Sequence, residues 1–271
     1  MPSPQPPTGR TCIVTGASSG IGRATAIALA EKSAHLCLAA RNEAALEEVA
    51  ALCRAAGAEA LVQPTDVTSR AEVDRLIQAA FDHWGRIDVL VACAGAYVRA
   101  HAMALTVEDL ERSLAVNFYG TVYCMLAALP HMLRQRDGHL ILVTSMDAKK
   151  GLPLDGPYVA AKAAASGLAE CMRQDLHGTG VHITTVFPAR VDTPLIGSLR
   201  VPAVSAKIPP EAVAAAIVKA LRNRPPEVIL PFQARLFHYV NTCSPRLGDW
   251  FVRVLHLEGW EDGVPEGVTR L

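Results

Sequence analysis

Short apolar runs alternate with longer stretches of helical periodicity from about residue 10 to about residue 230. Thr11-Cys12-Ile13-Val14 reads as a first strand, followed by a Gly-rich turn and a helix near 20–32. His35 to Ala40 and Ala60-Leu61-Val62 read as strands two and three, with helices over Glu43 to Ala56 and 69–84. Asp66 or Thr68 is the expected cap of the second of these helices. Val89-Leu90-Val91-Ala92 is apolar throughout, as a parallel strand covered on both faces must be. A long helix is predicted at about 106–134, strand five at Leu140-Ile141-Leu142-Val143, and a helix at about 157–177. Val181 to Phe187, Glu211 to Arg222 and Val228-Ile229-Leu230 supply strand six, a helix and strand seven. Strands alternating with helices in this way predict an α/β fold of Rossmann type, a doubly wound seven-stranded parallel sheet with helices on both faces.

Past Pro231 the pattern changes. Six of the fourteen aromatic residues fall there, namely Phe232, Phe237, Tyr239, Trp250, Phe251 and Trp260, interleaved with Arg235, Arg246 and Arg253. Their helical spacing predicts a C-terminal helical extension over 232–271, after an α/β domain over 10–231. Three roles are open to it: closing a pocket of the preceding domain, packing against another subunit, or peripheral membrane contact through residues 232–260. Residues 1–9 are rich in Pro and lack the apolar run of a signal peptide, which predicts a disordered tail. No run reaches membrane-spanning length in this reading.

Composition narrows the class. The formal net charge is zero, so nothing favours nucleic acid as a partner. Seven scattered cysteines without a Cys-x-x-Cys pair fit reduced thiols and a cytoplasmic protein, membrane-associated only if the extension makes it so. The nine histidines show no ligand spacing, and no metal site is predicted.

The chemistry starts at Thr15-Gly16-Ala17-Ser18-Ser19-Gly20-Ile21-Gly22, between the first strand and the first helix. Glycines there let the backbone turn tightly and let a pyrophosphate approach helix-terminal N–H groups. A lone glycine turn is weak, and the spacing is not Gly-x-Gly-x-x-Gly. Tyr158 and Lys162, however, stand at i and i+4 and share one helix face. An ammonium beside a phenol favours phenolate and lowers a pKa that is near 10 in isolation. Ser145 ends strand five thirteen residues before Tyr158, and Asn117 lies within the long helix, where Asn is a poor interior residue.

In this order, these residues resemble the short-chain dehydrogenase/reductase family over roughly residues 10–230, and the glycine turn matches the family's letter for letter. The resemblance implies a nicotinamide dinucleotide on Gly16, Ser18, Ser19, Gly20, Ile21 and Gly22, with Asp66 and Val67 beside the adenine. Ala94, Gly95, Pro188, Val191, Tyr158 and Lys162 complete that set, and Thr193 matches the threonine on the nicotinamide amide. It implies Tyr158 as general acid, Lys162 as its partner, Ser145 on the substrate oxygen and Asn117 as anchor of a water relay. Members that prefer NAD usually carry Asp after strand two; here Ala40-Arg41-Asn42 stands there. Arg41 can grip a 2′-phosphate through two hydrogen bonds, which favours NADP(H), the alternative being a solvated surface position.

Two departures from the family stand out. Ala92-Cys93-Ala94-Gly95 replaces the usual Asn-Asn-Ala-Gly, and Pro188-Ala189 replaces Pro-Gly. Cys93 reads as a small buried side chain rather than a nucleophile. The expectation is an NADP(H)-dependent carbonyl/alcohol oxidoreductase with a small hydrophobic substrate, and by resemblance a homodimer or homotetramer. Leu152, Leu154, Leu195 and Ile196 are expected around an apolar pocket under a lid from Pro194 to Pro210, with Lys149 and Lys150 in a solvated loop at its mouth. The competing reading is a catalytically idle NADP(H)-binding sensor acting through its C-terminal extension.

Overall fold

Apolar strands covered on both faces must sit in the middle of a sheet, and the burial follows that rule. The computed structural model describes residues 9–32 and 34–261; the Pro-rich N-terminal stretch, apart from Gly9, and the end of the extension lie outside the described residues. The elements run β1 (Thr11–Thr15), α1 (Gly20–Ala30), β2 (His35–Ala40), α2 (Glu43–Ala55), β3 (Glu59–Pro64), α3 (Arg70–Trp84) and β4 (Val89–Ala92). Then come α4 (Val107–Leu114), a π-helical turn (Ala115–Gly120), α5 (Thr121–Gln135), β5 (Gly138–Val143), α6 (Gly156–Asp175) and β6 (Val181–Pro188). The described residues finish with β7 (Leu199–Arg200), α7 (Pro210–Asn223), β8 (Glu227–Leu230), α8 (Phe232–Cys243), α9 (Pro245–Val254) and β9 (Trp260–Glu261).

The predicted seven-stranded sheet is present, in the order β3-β2-β1-β4-β5-β6-β8. Every neighbouring pair in it is parallel. The central strands β1, β4 and β5 are buried along their whole length, whereas the edge strands β3 and β8 are partly open. Alternation splits each strand between two cores. Cys12 and Val14 pack with Leu46, Val49, Val213 and Ile217 from α2 and α7. Ile13 and Leu90 pack on the other face with Leu76, Met125 and Met132 from α3 and α5. Strand order reverses between β1 and β4, which opens a crevice at their carboxyl ends.

Three sequence expectations are corrected. The helix expected at 106–134 is α4 and α5 joined by a π-helical turn. The stretch Val107–Gln135 is long and apolar enough to cross a bilayer. In this fold it buries Cys124, Met125, Ala128 and Met132 against the sheet, as a core helix does. Ser69, not Asp66 or Thr68, caps α3 by accepting from the Glu72 amide, because Asp66 is turned to the Thr68 amide (2.9 Å).

β1 and β4 are tied at their start by one buried carboxylate. Asp88 accepts from the Thr11 amide (2.9 Å) and pairs with the Arg86 guanidinium (2.6 Å). Asp88→Ala leaves that amide without its acceptor, and a loss of about 1–3 kcal/mol is expected in urea unfolding followed by circular dichroism, with an unchanged m value.

Candidate active site

A strand that ends in glycine can turn straight into a helix whose first amides stay open. Gly16, with φ of +66°, follows β1, and a Cβ there would stand 2.9 Å from the Ala94 backbone. A Cβ at Gly22 would collide with the Gly16 carbonyl oxygen. Both positions therefore require glycine for close approach. Ser19 is the N-cap of α1 but makes no capping bond, and the first turn holds no acidic residue. The amides at that helix end are thus suited to an anion.

They line a cleft of about 1160 Å³ at the crevice. Of the predicted cofactor residues, Gly16, Ser18, Ser19, Gly20, Ile21, Gly22, Arg41, Asp66, Val67, Ala94, Gly95 and Thr193 all line it. Arg41 is exposed at its rim. The Thr68 amide holds the Asp66 carboxyl below its ordinary range, with the Arg41 charge helping. A cleft of this size, with an open helix terminus and a cation at its rim, fits a dinucleotide.

Beside it lies a smaller cavity of about 70 Å³, lined by Ser145, Tyr158, Pro188, Val191 and again Ile21 and Thr193. Ser145 and Tyr158 are both buried. Lys162 and Asn117 line neither cavity but stand behind them. The Lys162 ammonium donates to the Val143 carbonyl oxygen at the end of β5 (3.0 Å) and lies 5.8 Å from the Tyr158 ring centroid. Asn117, fully buried in the π-helical turn, donates to the Ala96 carbonyl (2.8 Å) and accepts from the Ala96 amide (3.1 Å). A Cβ at Gly95 would meet Asn117 Oδ1 at 3.1 Å and Lys162 Nζ at 3.7 Å, so the two side chains converge on one glycine.

At the place of the family's Asn-Asn pair, the backbone after β4 is held by Thr15. Thr15 Oγ1 accepts from the Cys93 and Ala94 amides, each at 3.2 Å. Burial pushes the Cys93 thiol up to about 12, which suits packing rather than attack.

The electrostatics differ from the sequence expectation at Tyr158. Burial, with Asp147 and Asp155 adding to it, pushes the phenol above its ordinary value, and a hydrogen bond with Ser145 opposes this. Burial also lowers the Lys162 ammonium to about 8. Both shifts have the same leading cause, the desolvation of charge in a closed site.

Several residues here were not singled out by the sequence. Tyr97, two positions after Gly95, packs edge-on against Tyr158 with ring centroids 5.0 Å apart. Its hydroxyl donates to the buried Asp155 (2.8 Å), which also holds Arg99 Nε (2.9 Å). Arg190, directly after Pro188-Ala189, lines the smaller cavity with Asp147. Proximity to the motifs was the available signal for Tyr97 and Arg190; Asp155 had none. Leu195 and Ile196 line the smaller cavity as expected, Leu152 lines a third cavity further out, and Leu154 lines none of the three. Lys149 and Lys150 are not simply solvated: they pair with Glu227 (2.7 Å) and with Asp249.

The chain matches the model of the short chain dehydrogenase family over residues 10–202. It is 36% identical over 247 residues to the uncharacterised oxidoreductase YxnA of Bacillus subtilis (strain 168), covering 88% of this chain and 69% of that protein. It is 35% identical over 232 residues to the glycine betaine reductase ATRR of Emericella nidulans, covering 82% of this chain but only 18% of that longer protein. Among solved structures, an alcohol dehydrogenase from the archaeon Thermococcus sibiricus, complexed with 5-hydroxy-NADP, superposes with a TM-score of 0.74. That match is at 29% identity and covers 82% of this chain and 95% of that one.

Asp147 gives the site a pH signature. Burial, with Asp155 adding to it, pushes its carboxyl up to about 7, against the pull of Arg190. The folded state then binds more protons than the unfolded state between about pH 4 and pH 7, so stability falls as pH rises through that window. Asp147→Asn removes this slope. Calorimetry should find the melting temperature of the variant, relative to wild type, higher at pH 7.5 than at pH 4.5; an equal offset at both would refute it.

Proposed function

The chain belongs to the short-chain dehydrogenase/reductase family of oxidoreductases, and from that premise we propose that it interconverts a ketone or aldehyde and an alcohol with NADP(H). The observation that carries this reading is the convergence of Ser145 and Tyr158 on one cavity beside the dinucleotide cleft, with Lys162 and Asn117 packed behind them.

When bound, the nicotinamide supplies or accepts hydride. The residues of the chain handle the proton and the oxygen. Ser145 donates a hydrogen bond to the substrate oxygen and polarises the carbonyl. Tyr158 gives its phenolic proton to that oxygen during reduction, and takes it back from the alcohol during oxidation. At neutral pH Lys162 is mostly ammonium, since its pKa of about 8 lies above the medium, and it stabilises the phenolate as it forms. The raised phenol keeps its proton until a substrate oxygen is there to receive it. Asn117 holds the Ala96 backbone beside Gly95 and so positions the wall between cleft and lysine. Arg41 binds the 2′-phosphate that distinguishes NADP(H) from NAD(H), a preference supported by its place at the rim of the cleft.

The apolar lining by Ile21, Val191, Leu195, Ile196 and Leu199 supports a hydrophobic substrate. Homodimeric or homotetrameric assembly, as in the family, is supported by the exposed Tyr119, Leu126 and Leu133 on one helical stretch. The exposed Phe232, Leu236, Tyr239 and Trp250 support an association surface on the extension as well. Flotation with anionic vesicles, set beside molecular sizing, separates a membrane contact from a subunit contact there.

Arg41→Ala should weaken NADPH binding roughly 10- to 100-fold and leave NADH binding unchanged, read by fluorescence titration. Tyr158→Phe should lower kcat on a carbonyl panel by about 10²- to 10⁴-fold while leaving NADPH binding intact. Tight NADPH binding by wild type without turnover of any carbonyl or alcohol would replace this reading with that of the sensor.

A further inference from the structure

The extension is fastened to the active-site loops rather than appended to the sheet. Arg99, after β4, donates to the Glu258 carbonyl (3.0 Å), and Arg190, after β6, donates to the Leu257 carbonyl. Lys150, five residues past Ser145, pairs with Asp249 on α9, and Asn241 on α8 donates to the Lys149 carbonyl (3.5 Å). β9 pairs antiparallel with β7, joining the extension to the lid segment. Three loops that frame the catalytic cavity therefore share one backing, made of residues 241–261.

Beside that backing lies a third cavity, of about 440 Å³, within the size range of sites that bury small ligands. Its walls are Met146 and Leu152 from the loop after β5, Val204 and Ile208 from the lid, and Phe237 and Leu255 from the extension. Asp147, Ala189 and Arg190 line both this cavity and the small one that holds Ser145 and Tyr158, so these three residues stand at the boundary between the two volumes. The inner cavity, at about 70 Å³, accommodates little more than a carbonyl and its immediate substituents. The family match ends at residue 202, and most of the outer cavity is built after that point.

We propose that the outer cavity is a substrate subsite, and that it receives the apolar chain of an elongated ketone or aldehyde whose carbonyl lies between Ser145 and Tyr158. This rests on the carbonyl-reductase reading and adds to it the shape of the substrate. Asp147 and Arg190 stand at the boundary, so the chain passes them on its way from Ser145 and Tyr158 to the outer cavity. The extension then serves as the far wall of the subsite, which accounts for its anchorage at both sides of the catalytic cavity.

The test is a series of methyl ketones with NADPH on the full chain. From 2-pentanone to 2-undecanone, kcat/KM of the wild type is expected to rise about 100-fold, as added methylenes are buried. Ala206→Trp, at an exposed lid position, and Ala234→Trp, on α8, each fill the cavity and should reduce that ratio to about threefold or less. A flat series in wild type, or a rise that survives in both variants, overturns the proposal. If neither ketone is turned over, the carbonyl panel decides the reductase reading separately. Calorimetric binding of 2-undecanol then decides the subsite: binding by wild type that is lost in both variants supports it, and absent or unaltered binding refutes it.

Discussion

The bond from the buried Lys162 ammonium to the Val143 carbonyl is the joint on which the site depends. Val143 is the last residue of β5, and two residues later the chain supplies Ser145. Lys162 lies one helical turn beyond Tyr158 on α6. One hydrogen bond therefore couples the end of the central sheet to the helix, and brings the serine and tyrosine to the same cavity. A buried cation needs its donors satisfied, and a strand-end carbonyl has a lone pair to offer without leaving the ladder.

Desolvation acts on every charged group at this joint. It lowers the ammonium and raises the phenol and the Asp147 carboxyl, each toward its neutral form. A closed site of this kind keeps acids protonated and lets a small geometric change at the reacting oxygen redistribute the proton. The neighbours Tyr97, Asp155 and Arg99 form a second polar layer, fixed by short hydrogen bonds, which holds the loop after β4 against the tyrosine. Rigidity there matters because groups that transfer protons must be held in place before the substrate arrives.

The C-terminal extension belongs to the same construction. Its aromatic residues divide between an inner set, with Phe237 facing the outer cavity and Phe251 packed edge-on against it, and an outer set exposed to solvent. The inner set closes space over the site. The outer set gives the molecule an apolar surface with arginines between, distinct from the charged helices around the sheet.

The sequence by itself determined the sheet, its two faces and the glycine turn, because each is written in a local period. Alternation of apolar residues makes a strand, 3.6-residue spacing makes a helix, and the close approach at Gly16 and Gly22 demands residues without Cβ. It also placed Tyr158 over Lys162, since helical pitch alone does that. The π-helical turn at Asn117, the cap at Ser69 and the pairing of Lys149 and Lys150 were decided by packing, which no local period encodes. So was the convergence of Asn117 and Lys162 on Gly95, from three separate parts of the chain. The direction of the Tyr158 shift shows the difference most clearly. Local spacing gives the tyrosine a lysine neighbour, but only the folded chain removes water from both and sets Asp147 and Asp155 nearby, and desolvation together with those carboxylates outweighs the hydrogen bond with Ser145.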